Sequence, residues 1–91
     1  MIIVKQYLVR GAVQGVGFRN FAAKVAKQNE LTGSVRNLKD GSLKITIEGN
    51  ERAVELFEKL IRRGPPLARV DEIQVEAMSE VSKFRGFRIL I

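Results

Sequence analysis

The densest run of positions that could do chemistry is Gly11-Ala-Val-Gln-Gly-Val-Gly-Phe-Arg19, with three glycines in seven residues and an arginine at its end. Upstream, Ile2-Ile-Val-Lys-Gln-Tyr-Leu-Val9 reads as a strand; downstream, Phe18, Phe21, Ala22, Val25 and Ala26 recur at helical spacing. A strand, a glycine loop and a helix in that order leave backbone N–H groups at the positive end of the helix, where no intrahelical carbonyl satisfies them. Such a junction suits an anion, phosphate being the commonest. Arg19 falls in the first helical turn, where its guanidinium can grip the same anion as a bidentate fork. Taken alone, the loop is equally served by a tight connection with a solvated arginine, because a lone glycine-rich loop is a weak signal. It is not a Walker loop, and it is not a dinucleotide fingerprint, since no third glycine follows Gly15-Val-Gly17.

The remaining composition narrows the mechanisms open to such a site. Ninety-one residues without a linker, repeat or low-complexity tract predict one domain over 1–91. The 45% hydrophobic content and the lack of cysteine mean that packing must hold the fold, which suits a cytoplasmic protein. The apolar runs Ile2-Ile-Val4 and Ile89-Leu-Ile91 are far too short to span a membrane or form a signal-peptide core. A net charge of +6 implies anionic partners. With neither histidine nor cysteine, the chain can form no phosphohistidine or phosphocysteine intermediate, no serine triad based on histidine and no His/Cys zinc site. Hydrolysis would have to direct water by other means, and the expectation is for no metal and no cofactor.

The elements that must position the loop follow in order. The first strand, to about Val9, is apolar on both faces, as a central strand requires. Phe18 to about Gln28 forms the first helix, with Lys24, Lys27 and Gln28 outside. Ser34–Leu38 and Ser42–Glu48 read as a hairpin joined by Lys39-Asp40-Gly41; Leu43, Ile45 and Ile47 alternate with Lys44, Thr46 and Glu48, so one face of the sheet is wet. Asn50 caps a second helix whose stripe is Ala53, Val54, Phe57, Leu60 and Ile61, and Gly64 with Pro65-Pro66 ends it. Val70–Ala77 and Gly86–Ile91 read as further strands around a polar stretch from Met78 to Arg85. The resulting fold class is α+β, a ferredoxin-like split β-α-β sandwich: βαββαβ plus a short C-terminal strand, the sheet mainly antiparallel, both helices on one face.

Beyond the fold, Val13-Gln-Gly-Val-Gly-Phe-Arg19, followed by Val35-Arg-Asn-Leu-Lys-Asp-Gly41 and Gly49, resembles the paired signature of the acylphosphatases. Gly64-Pro-Pro-Leu-Ala-Arg-Val70 and Gly86-Phe-Arg-Ile89 are similar to that family too, so the resemblance covers nearly the whole chain. It implies a metal-independent hydrolase that cleaves the carboxyl–phosphate bond of acyl phosphates, acting as a monomer on a small anionic substrate, with phosphate as product and no nucleic acid or membrane involved. It also implies that the loop backbone of Gln14, Gly15, Val16, Gly17 and Phe18, together with Arg19, holds the phosphoryl group, and that Asn37 orients the attacking water. An acyl phosphate has a good leaving group and needs mainly positioning and charge stabilisation. An asparagine amide is no effective base, so the water's proton would go most simply to a phosphate oxygen. Judged alone, Asn37 reads first as a residue ending a strand before the Asp40-Gly41 turn; its spacing from the loop motif reverses that preference. Arg10 and Arg36 read as solvated or field-shaping. Ser34 departs from the family, which commonly has an aromatic residue there; the chemical positions are intact, and the expected consequence is a change in packing or in substrate access beside Asn37.

The same architecture with a basic surface also describes an RNA-binding module, yet Tyr7 is the only aromatic of the first strand and Ser42–Glu48 has none, so a base-stacking platform is missing. A non-catalytic small-ligand domain, or an acylphosphatase-like part of a carbamoyl-transfer system, is the remaining reading; the short chain length weighs against the latter.

Overall fold

A computed structural model describes residues 1–79 and 85–90. The polar residues 80–84 and the terminal Ile91 of the expected last strand lie outside the described residues. The elements run β1 (Ile2–Ala12), α1 (Phe18–Gln28), β2 (Thr32–Asn37), β3 (Leu43–Asn50), α2 (Glu51–Arg63), β4 (Arg69–Met78) and β5 (Phe87–Leu90). The five strands form one sheet in the order β4-β1-β3-β2-β5. Strand β1 is antiparallel to β3 and β4, β2 is antiparallel to β3, and β2 pairs with β5 in parallel. Each helix thus links two parallel strands with one antiparallel strand between them, the split β-α-β plan read from the sequence.

Side-chain alternation puts the core on one face. Tyr7, Val9, Val35, Leu43, Ile45 and Ile47 point from the sheet into a single cluster with Phe18, Ala22, Val25 and Ala26 of α1 and Val54, Phe57 and Ile61 of α2. The opposite face carries Gln6, Lys44, Thr46 and Arg36, placed side by side by the register. Both helices obey their expected stripes, although Phe21, Ala53 and Leu60 are only partly buried at the margins of the cluster. The Asn50 side chain accepts a hydrogen bond from Arg52 N at 3.0 Å and so caps α2. Gly64 closes that helix at φ 74°.

Several strand boundaries differ from those expected. Strand β1 does not stop at Val9: its pairing with β4 shifts register between Arg10 and Gly11 and resumes through Ala12, a bulge that carries the strand up to the loop. Leu38 lies beyond β2, and β3 continues to Asn50. In the edge strand β4 the alternating apolar side chains are only partly covered: Ile73 packs against the core cluster, while Val75 is 39% exposed and Ala77 is exposed.

Candidate active site

The bulged end of β1 delivers Val13, 1% exposed, into the core, and this anchors the entry to the loop. Gly15 (φ 73°) and Gly17 (φ 81°) both adopt the left-handed conformation, and a Cβ built on either meets nothing within 4 Å. Backbone conformation, not crowding, is therefore what calls for glycine at these two positions. Gly17 is also the N-cap of α1 and offers no side chain to cap it; the first turn of the helix holds no acidic residue. By contrast, α2 has both a capping asparagine and Glu51 in its first turn. Among the described residues, the N-terminus of α1 is thus left without a side-chain cap, and no carboxylate of its own first turn compensates its partial positive charge.

These features surround a cavity of about 150 Å³ lined by Val13, Gly15, Gly17, Phe18, Arg19, Asn20, Asn37 and Ile89. It joins the start of α1 to the end of β2, Phe18 and Asn37 being nineteen residues apart in the chain. Arg19 is half-buried and has no carboxylate partner among the described residues, unlike Lys5, Arg10, Arg62 and Arg69, each of which is ion-paired. The Asn37 Oδ1 atom is buried and accepts no hydrogen bond. An unpaired buried carbonyl oxygen costs about 1–3 kcal/mol, and this one belongs to a residue that lines the cavity.

Of the residues singled out from the sequence, Gly15, Gly17, Phe18, Arg19 and Asn37 share this cavity. Gln14 and Val16 do not line it. Val16 packs against the core, and the Gln14 amide turns instead to the β2–β3 hairpin, where its Nε2 donates to Leu38 O at 2.8 Å and Ser42 O at 3.0 Å. Two lining residues escaped the sequence reading. Asn20 is a polar residue in the first helical turn, a signal that was available; Ile89 arrives only through the parallel pairing of β5 with β2, where it sits opposite Val35.

The hairpin that carries Asn37 is braced at its turn. Leu38 N donates to Ser42 O at 2.8 Å, Gly41 N donates to Leu38 O at 3.2 Å, and Asp40 Oδ1 accepts from both Ser42 N and Ser42 Oγ. Those two Ser42 donors, with Arg10 3.5 Å from the carboxylate, hold the Asp40 carboxyl below its ordinary range. A larger hollow of about 460 Å³ lies elsewhere, against Gln6, Leu8, Lys44, Gln74 and Glu76. It sits away from the helix N-terminus and includes a carboxylate, so its size does not make it the better anion site. No group of three or more Asp, Glu, His or Cys side chains that could hold a metal occurs among the described residues.

The sequence profile of the Acylphosphatase family matches residues 5–89. An acylphosphatase of Caldivirga maquilingensis is 48% identical over 83 residues, covering 90% of this chain and 87% of that protein. Among solved structures, the acylphosphatase from Bacillus subtilis superposes with a TM-score of 0.94 at 34% identity, covering 100% of both chains. Full-length HypF in a phosphate- and nucleotide-bound form contains a similar region, with a TM-score of 0.87 and 36% identity over 99% of this chain and 12% of that one. The profile match, the curated relative and the coextensive structure together place the chain in the acylphosphatase family of enzymes.

Proposed function

We propose that this chain hydrolyses the carboxyl–phosphate bond of a small acyl phosphate in the cytoplasm, as a monomeric single domain that requires neither metal nor cofactor. The loop backbone and Arg19 grip the phosphoryl oxygens; Asn37 Oδ1 accepts a hydrogen from a water and aims its lone pair at phosphorus. The P–O bond to the acyl oxygen breaks as the new bond forms, the leaving carboxylate takes the electron pair, and the water's proton passes to a phosphate oxygen. Stabilisation of the spread phosphoryl charge comes from the guanidinium and the helix N-terminus, so catalysis is positioning plus electrostatics.

The observation carrying this reading is that Asn37 Oδ1 is buried without a partner and that its residue shares a cavity wall with Arg19 and the two left-handed glycines. No other polar side-chain atom among the described residues is buried and unpartnered. The test is phosphate release from benzoyl phosphate with excess chelator present, for wild type and Asn37→Ala. We expect full wild-type activity in chelator and a loss of at least about a hundredfold in turnover for the variant, the scale of losing one preorganised polar group. Phosphate inhibition should be almost unchanged, since Asn37 serves the water. Activity abolished by chelator and restored by magnesium, or an unimpaired Asn37→Ala, would contradict the proposal.

A further inference from the structure

Phosphate and water would be held by two different pieces of backbone. The anion belongs to the loop between β1 and α1, while Asn37 ends β2. Their relative placement decides whether the water meets phosphorus in line, and nothing in either piece alone sets it. Gln14 belongs to the first piece and bonds to the second. Its Nε2 donates to Leu38 O at 2.8 Å and to Ser42 O at 3.0 Å, and both acceptors are main-chain carbonyls. Only the amide NH₂ can satisfy two carbonyls, so the side-chain orientation is fixed and both of its hydrogens are used. The contacts fall at the two ends of the hairpin turn, and Leu38 is the residue immediately after Asn37. Among the described residues, Gln14 is the loop side chain that hydrogen-bonds to this hairpin.

We propose that Gln14 is a positioning residue for the hydrolysis, its side-chain amide setting the distance between the phosphate-holding loop and Asn37. This rests on the functional reading above. Gln14 touches neither reactant through its side chain and acts through Asn37. Its loss should therefore lower turnover while leaving the anion grip intact. A merely structural role would instead lower stability. The two carbonyls it bonds keep their other donors, Gly41 N at 3.2 Å and Leu38 N at 2.8 Å, so removing the amide orphans neither of them.

The test is a double-mutant cycle on benzoyl phosphate hydrolysis with wild type, Gln14→Met, Asn37→Ala and the double variant, measuring kcat, KM and inhibition by inorganic phosphate. Met has similar length and no donor. Gln14→Met should lose at least about tenfold in kcat, because misplacing a reactant by about an ångström costs up to a hundredfold, with phosphate inhibition unchanged within about twofold. In the Asn37→Ala background the same substitution should cost less than about twofold, since the water-orienting group it acts through is already gone. An equal loss in both backgrounds, weakened phosphate inhibition, or an unchanged kcat would overturn the proposal. Should Gln14→Met not fold, Gln14→Asn, one methylene too short to reach both carbonyls, replaces it in the cycle. Failure of both to fold makes the residue structural and also overturns the proposal. Wild-type protein inactive on benzoyl phosphate, or an unimpaired Asn37→Ala, brings down the functional reading itself, and this inference with it.

Discussion

Arg19 differs from its neighbours in what surrounds it. Lys5, Arg10, Arg62 and Arg69 each lean on a carboxylate, Arg69 on Asp71 at 2.9 Å, whereas Arg19 sits half-buried in the cavity wall with no such partner among the described residues. In the proposed function that guanidinium contributes little to folding and much to holding an incoming dianion. Arg19→Ala should therefore keep its melting temperature within a few degrees and weaken inhibition by inorganic phosphate by at least about tenfold, while turnover falls too; an intact phosphate affinity would remove Arg19 from the grip. That Arg19 lies beside the glycine loop was legible from residue type and spacing, while Asn37 was singled out through the family resemblance of its motif; the two line one cavity. The part of Gln14 that matters was not legible, since its partners are two main-chain carbonyls 24 and 28 residues away that no side-chain pattern announces. Ile89 was hidden for the same reason: strand pairing, not sequence proximity, brings it to the cavity.

At the level of elements, the loop is a conformation before it is a set of residues. Gly17 holds φ 81° with open space where a Cβ would go, so Gly17→Ala isolates the backbone term, roughly 1–2 kcal/mol for an L-residue held left-handed. We expect a lower melting temperature by about that equivalent, and weaker phosphate inhibition as the helix N-terminus relaxes away from the anion; unchanged stability and unchanged inhibition together would show that the left-handed turn is dispensable. Helix α1 was read with its ends in place because glycine punctuation and a 3.6-residue stripe coincide at Phe18 and Gln28. The strands were less legible. Whether alternating residues are buried depends on what packs over that face of the sheet: Val75 of β4 pairs with the fully buried Tyr7 and is itself 39% exposed. The bulge between Arg10 and Gly11 was likewise invisible, as it arises from pairing with a strand some sixty residues later.

Across the whole molecule, β1 and α2 are tied by one partly buried charge network. Tyr7, fully buried, donates its hydroxyl to Glu58 Oε1 at 3.2 Å; Lys5 Nζ lies 3.4 Å from the same oxygen, and Arg62 donates to Oε2 at 3.2 Å. Burial pushes the Glu58 carboxyl up, but the hydrogen bonds and charges of Arg62, Lys5 and Tyr7 outweigh it and leave the group below its ordinary value. Burial, with the Glu58 charge, pushes the Tyr7 hydroxyl well up. A carboxylate with a depressed folded-state pKa adds stability above its unfolded pKa and loses it as pH falls through the folded one. Melting temperature should thus hold from neutrality to about pH 5 and drop below about pH 4, and Glu58→Gln should start lower at neutral pH and show a shallower acid fall; an identical acid profile would exclude Glu58 from the effect. The topology that places the network was legible as an order of elements, while the closing of β5 onto β2 was not. No helix of the described residues is long and apolar enough to cross a membrane. The proposed hydrolysis requires water to attack phosphorus, and hydrolysis of benzoyl phosphate in ¹⁸O-labelled water with chelator present reads the attacked atom directly. Attack on a phosphoryl group held by the loop and Arg19 puts the label in inorganic phosphate and leaves the benzoate unlabelled; label in the benzoate carboxylate would mean that water attacks the carbonyl carbon, and would contradict it.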